Sequence, residues 1–187
     1  MKVALYDFGA KRNIANELAK RNCEVTVFPA TTPASEVLEG NFDGIMLSNG
    51  PGDPAEVTDI IAEVKKLSES GMPIFAICLG HQLMALAHGF KTEKLKYGHH
   101  GANHPVKDLD TNRVYISTQN HNYVIKDDSI DPAVAKAWFR NVNDGTIEGV
   151  EYLNKNIKTV QFHPEANAGP RDTEYLFDEF IKMMEGK

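Results

Sequence analysis

Apolar residues in the first half of the chain follow two alternating rhythms. Short apolar or β-branched runs at Lys2–Tyr6, Glu24–Phe28, Phe42–Ser48 and Ile74–Ile77 predict strands. Between and after them, helical spacing appears over Asn13–Arg21 (Ile14, Ala15 and Leu18 on one face), Pro33–Leu38, Val57–Ser68 and Leu79–Ala87. Pro33 suits a first helical turn, and Gly71 with Pro73 closes the third helix. Ile45-Met46-Leu47 has no polar break, so its strand should be covered on both faces. Four strand–helix alternations predict the α/β class: an open, mostly parallel sheet flanked by helices, with right-handed crossovers.

After Gly89 the rhythm changes. Lys91–Leu95, His104–Lys107, Arg113–Thr118, Tyr123–Lys126, Val134–Asn141, Thr146–Tyr152 and Lys158–Phe162 are short and strand-like. Turn residues such as Asn143-Asp144-Gly145 and Asn154-Lys155-Asn156 separate them, which predicts antiparallel strands added at the sheet edge in the second half. Thr173–Met184 returns to helical spacing, with Tyr175, Leu176, Phe180 and Ile181 available to a core. No repeat, low-complexity tract or linker interrupts the pattern, so residues 1–187 read as a single domain.

Composition narrows the function classes. A chain of 187 residues with 42% hydrophobic and 25% charged residues can bury a full core. A net charge of −6 without a basic run argues against nucleic-acid or anionic-membrane partners. No apolar stretch reaches bilayer-spanning length, and no leader is expected before the first strand. Cys23 and Cys78 form neither a disulfide framework nor metal-ligand spacing, so the expected location is cytoplasmic and reducing.

Candidate chemistry gathers where strands end. Ile74–Ile77 runs into Cys78 and then into a helix, with small residues two before and two after, at Ala76 and Gly80. A strand-to-helix elbow exposing a nucleophile needs such spacing, and a helix N-terminus favours thiolate. A buried structural cysteine fits this stretch equally well, as it does Cys23. His163-Pro164-Glu165 ends a strand-like segment, where Pro164 stops ladder donation. It supplies either a base with an orienting carboxylate or merely a solvated turn. Ser48 to Pro54 also follows a strand, and Gly50 and Gly52 let backbone N–H groups approach a ligand, as an oxyanion hole requires. As a bare pattern this is a turn, and no Gly-Lys-Ser/Thr ending supports phosphate binding. His99, His100, His104 and His121 have no Asp, Glu or Cys at ligand spacing, so no metal site is expected. Asn120 and its neighbours suit a small polar substrate, and Trp138 suits packing.

Taken in order, Asn49-Gly50-Pro51-Gly52-Asp53-Pro54, Ile77-Cys78-Leu79-Gly80-His81-Gln82 and Phe162-His163-Pro164-Glu165 resemble class I (triad) glutamine amidotransferases, a flavodoxin-like family. Tyr6 to Asn13, Tyr97 to Val106, Gln119-Asn120-His121 and the Pro164-to-Pro170 tail resemble one branch, the glutaminase domain of the carbamoyl-phosphate synthase small subunit. The resemblance implies hydrolysis of L-glutamine to glutamate and ammonia through a thioester on Cys78, with His163 shuttling the proton and Glu165 orienting it. It implies an oxyanion hole of Gly52 and Leu79 N–H groups, and glutamine contacts at Gly50, Gly52, Leu79, Gln82, Asn120 and Tyr123. It also implies delivery of ammonia to a synthetase large subunit for carbamoyl phosphate synthesis in the arginine and pyrimidine pathways. ATP and magnesium would then bind that partner, with no cofactor in this chain.

Three departures stand out. Asn122 replaces the branch's usual glycine, a change softened because Asn tolerates left-handed backbone. Ala76 replaces a glycine before the nucleophile, and the branch's N-terminal domain, which helps dock the large subunit, has no counterpart before Lys2. The alternatives are a GMP, anthranilate or aminodeoxychorismate synthase as the ammonia acceptor, a non-catalytic regulatory relative, or a cysteine peptidase using His81.

Overall fold

The computed structural model describes residues 1–166 and 168–186. In its first strand, β1 (Lys2–Asp7), Val3 and Leu5 enter one apolar cluster while Ala4 and Tyr6 enter another. A strand with both faces buried has to lie inside a sheet covered on two sides. β3 (Gly44–Leu47) and β4 (Ile74–Ile77) divide their side chains in the same way, with Met46, Phe75 and Ile77 opposite Ile45, Leu47, Ile74 and Ala76.

The remaining strands are β2 (Glu24–Pro29), β5 (Thr92–Asp108), β6 (Val114–Ile125), β7 (Ala135–Asn141), β8 (Ile147–Tyr152) and β9 (Ile157–Val160). All nine form one sheet in the order β2-β1-β3-β4-β9-β8-β7-β5-β6. β2, β1, β3, β4 and β9 run parallel, and β8, β7, β5 and β6 continue the sheet antiparallel. Helices α1 (Arg12–Lys20) and α5 (Tyr175–Glu185) bring Ile14, Leu18, Leu176, Phe177 and Phe180 to one face. Helices α2 (Ala34–Leu38), α3 (Thr58–Glu69) and α4 (Leu79–Ala87) bring Val37, Val64, Leu67 and Leu83 to the other. No helix among the described residues is long and apolar enough to cross a membrane.

Two readings of the second half change. The segments around Lys91–Leu95 and His104–Lys107 are one strand, β5, and Arg113–Thr118 and Tyr123–Lys126 fall along its partner β6. Gly98 and Gly101, at φ +68° and +133°, sit in bulges where the register shifts, and do not form turns. A bulge uses the same glycine signal as a turn but keeps the ribbon running. The Lys158–Phe162 segment overlaps β9, which lies in the sheet's interior between β4 and β8. Ile157, Thr159 and Val160 are buried, as an interior strand requires.

The start of α4 presses on the end of β3. A Cβ added at Gly80 would stand 2.7 Å from the Leu47 carbonyl oxygen and 2.8 Å from Leu47 Cβ. Gly80→Ala is therefore expected to destabilise the fold by ~1–3 kcal/mol through overpacking. Urea unfolding with a lowered midpoint and unchanged slope checks this, and an unaltered midpoint refutes it.

Candidate active site

The nucleophile position is built by strain. β4 ends at Ile77, and Cys78 takes φ +53° and ψ −104° before α4 begins at Leu79. A non-glycine residue pays ~1–3 kcal/mol for such backbone and keeps it only where its surroundings impose it. Here Cys78 N–H donates to the Val160 carbonyl (2.8 Å), while Gly80 N–H donates to the Ser48 carbonyl (3.1 Å). Leu79 is the first helical residue, so its N–H has no intrahelical acceptor.

The glycine loop after β3 is tied to the loop after β1. Ser48 Oγ accepts from Phe8 N–H (2.9 Å) and donates to the Asn49 carbonyl (2.8 Å). Asn49 accepts from Lys11 N–H (3.0 Å) and donates to the Gly9 carbonyl (3.2 Å). Gly50 has no space for a side chain, since a Cβ would strike Phe8 backbone and lie 2.8 Å from Leu79 Cδ2. Gly52 is the opposite case, with φ +98° and open space above it. One glycine is needed for packing, and the other leaves its backbone reachable by a ligand.

His163 and Glu165 follow β9 and lie beside the elbow because β9 is the parallel neighbour of β4. His163 N–H donates to the Thr118 carbonyl (2.9 Å). Its ring Nδ1 donates to Glu165 Oε1 (2.7 Å), which leaves the other ring nitrogen for Cys78. Burial works against a charged imidazole here, but Cys78 and Glu165 together outweigh it and raise His163 to about 9. Glu165 is fully buried; Asn13 Nδ2 donates to its carbonyl, and Lys11 Nζ stands 3.7 Å from Oε1.

These parts open onto a cavity of about 370 Å³. Of the residues read from sequence, Cys78, His163, Gly50, Gly52, Gln82, Asn120 and Tyr123 line it. Leu79 and Glu165 do not; Leu79 can act only through its N–H, and Glu165 stands behind His163. Gln82 Nε2 donates to the Tyr123 carbonyl (2.8 Å) and to Gln161 Oε1 (3.0 Å), and Gln161 Nε2 reaches Cys78 Sγ at 3.6 Å. His121 and Asn122, the neighbours of Asn120, also line the cavity, as do Gly9, Lys11 and Asn49, to which the sequence reading gave no role. Their signal was position, since the loops following parallel strands gather at one edge of the sheet.

Asn122 does not take left-handed backbone; Gly98 across the ribbon does, and a Cβ there would lie 2.6 Å from Asn122 Oδ1. Asn122 acts through its side chain, with Oδ1 3.1 Å from His100 Nε2, while Asn120 Oδ1 meets His100 Nδ1 at 3.0 Å. His81 is fully buried, its Nδ1 lies 2.7 Å from Thr159 Oγ1, and burial with His121 lowers it to about 3. It lies outside the cavity lining and is no base for Cys78. The peptidase reading loses its base.

Beside the cavity, β5, β6 and β8 bring His99, His121 and Glu148 together, all buried. Glu148, against burial and with help from Asp144, pushes His99 up to about 9. Spacing along the sequence had given these histidines no carboxylate. Glu148 reaches them only through the sheet.

A thiol in a strained elbow, a carboxylate-backed imidazole and free N–H groups facing a small polar cavity suit acyl transfer from a small amide. The family described as "Glutamine amidotransferase class-I" matches residues 4–183. The carbamoyl phosphate synthase small chain of Salmonella typhimurium is 52% identical over 183 residues, 98% of this chain and 48% of that one. The corresponding small chain of Listeria monocytogenes is 51% identical over 186 residues, 100% of this chain and 51% of the other. The chain thus spans about half the length of these relatives. Among solved structures, a Thermoplasma acidophilum protein provisionally assigned to GMP synthase superposes with a TM-score of 0.87 at 22% identity, covering 100% of this chain and 94% of that one.

Proposed function

The chain belongs to the class-I glutamine amidotransferase family, and we propose that it hydrolyses L-glutamine and passes the ammonia to a carbamoyl-phosphate-forming synthetase subunit. The single observation that carries the chemistry is the convergence of Cys78, at φ +53°, with the His163–Glu165 pair at one cavity.

Cys78 passes its thiol proton to His163 as its Sγ attacks the side-chain amide carbon of glutamine. The oxyanion that forms accepts from the N–H groups of Gly52 and Leu79. His163 gives its proton to the departing nitrogen, so ammonia leaves and a γ-glutamyl thioester remains. Water then attacks the thioester, His163 takes the proton, and glutamate leaves as the thiol is restored. Glu165 holds the imidazole in the tautomer that serves both steps. Gly50, Gln82, Asn120 and Tyr123 line the walls that hold the rest of the substrate. ATP and magnesium belong to the partner's chemistry in this reading.

Identity above 50% to two carbamoyl phosphate synthase small chains favours that synthetase over GMP, anthranilate or aminodeoxychorismate synthases. The intact triad geometry counts against a non-catalytic relative. Mixing the chain with each candidate large subunit, then measuring glutamate release and product, tests the assignment. Glutamine-dependent carbamoyl phosphate formation is the expected result. Glutamate release coupled only to another large subunit would overturn the choice of partner while leaving the hydrolysis intact.

A further inference from the structure

We propose that His99, His121 and Glu148 form a binding site for a divalent transition metal, with zinc the best fit, distinct from Cys78. Its residues come from three strands that the fold brings together, and their ligand atoms all lie within 4.8 Å of one another.

Hydrogen positions follow from the partners. His99 Nε2 lies 2.6 Å from Asp144 Oδ2, so that nitrogen carries a hydrogen and donates it. His121 Nδ1 lies 2.8 Å from the Tyr123 carbonyl, which can only accept, so His121 Nε2 is left with a bare lone pair. That lone pair faces His99 Nδ1 at 3.2 Å and Gln119 Oε1 at 2.7 Å. Gln119 cannot turn its amide round without loss. Its Nε2 donates to Ser117 Oγ (3.2 Å), whose own hydrogen goes to the His104 carbonyl (2.8 Å). Glu148 Oε1 stands 3.3 Å from His99 Nδ1, oriented by Asn141 Nδ2 at 3.1 Å. Glu148 Oε2 is buried with no partner.

Two imidazole nitrogens and a carboxylate therefore converge on one place, with an amide oxygen beside them. A single proton on His99 Nδ1 satisfies one of these contacts and leaves His121 Nε2 against Gln119 Oε1, acceptor facing acceptor. A cation bound by the two imidazole nitrogens and Glu148 gives each of these three groups a partner. The 3.2 and 3.3 Å separations also approach the edge of a tetrahedron with ~2.0–2.1 Å metal bonds, about 3.3–3.4 Å. Both histidines already have the outer partners that ligating histidines use, a carboxylate on one and a backbone carbonyl on the other. A metal here would brace the ribbon that carries Asn120 and Tyr123, because the Tyr123 carbonyl also receives Gln82.

The Cys78–His163 pair could itself take zinc, so the test uses the full chain carrying Cys78→Ser, freed of metal by chelation. Calorimetry with zinc chloride, and metal content after desalting, should both give one equivalent. Cobalt substitution should give the ligand-field bands of a four-coordinate nitrogen/oxygen site without thiolate charge transfer. Glu148→Gln and His99→Asn should each weaken zinc binding by ~100-fold or more, at least what losing an outer partner costs. Should either variant fail to fold, imidazole nitrogen shifts in the Cys78→Ser chain decide. Zinc should move those of His99 and His121. No stoichiometric uptake, uptake unchanged in both variants, or shifts confined to His163 or His100 would overturn the site.

Discussion

Replacing Cys78 by serine is expected to lower glutamate release by ~10⁴–10⁶-fold, the scale on which an activated nucleophile fails alone. Serine fits the elbow, because the +53° backbone is held by the Val160 and Ser48 carbonyls and not by the side chain. What disappears is the thiol; serine puts in its place a weaker nucleophile on a shorter bond, in a site shaped around sulfur. Binding should survive, since Gly52, Gln82, Asn120 and Tyr123 still line the cavity. Glutamate formation by the variant mixed with the proposed large subunit, beside glutamine affinity by calorimetry, separates the two effects. Retention of a tenth or more of the wild-type rate would rule out the thioester route.

The second large effect belongs to Glu165. Glu165→Gln keeps size and removes charge, and a ~10⁴-fold fall in the rate is expected, as for triads whose orienting carboxylate becomes an amide. Part of this loss should appear as a pH shift. In the wild type His163 is raised to about 9, above the ordinary histidine value of about 6.5. A histidine raised on folding contributes stability that is complete below its unfolded value and is lost as pH rises through its folded one. The ion pair's contribution should accordingly be present at neutral pH and fade on approaching pH 9. Without the carboxylate, His163 keeps the opposing effect of burial and loses one of its two supports. The alkaline limb of the rate profile, where the imidazolium that protonates the departing nitrogen is lost, should move to lower pH. Rate profiles of both proteins in the assembled complex check this, and an unmoved alkaline limb would count against Glu165 as the orienting group.

Most of this site was legible in the sequence because its parts are local. The Cys78 elbow, the Gly50–Gly52 loop and His163-Pro164-Glu165 each lie within a few residues, and each follows a strand. Parallel strands deliver such loops to one edge. The resemblance carried by those motifs supplied the roles of Gln82, Asn120 and Tyr123. Lys11 and His121 lie in stretches that carried the resemblance, but their own places at the cavity come from register, which no spacing along the chain shows. Glu148 is the sharpest case. Its contact with His99 is made between β8 and β5, strands that are not neighbours in the sheet. Spacing along a chain is silent about pairs of that kind. The same limit explains β9, which reads as one more short ribbon until its two buried faces place it beside β4.

That placement sets when the chain becomes reactive. The thiol and its base follow adjacent strands, yet β9 comes last in sequence among the nine described strands. A growing chain that has completed β8 already carries Cys78 but has neither His163 nor the Val160 carbonyl that pins the elbow. Pairing between segments this distant is slow to nucleate, because loop closure must precede the contact that rewards it. Until then the cysteine lacks the general base that would activate it. Nucleophile and base are therefore brought together only when β9 takes its place beside β4.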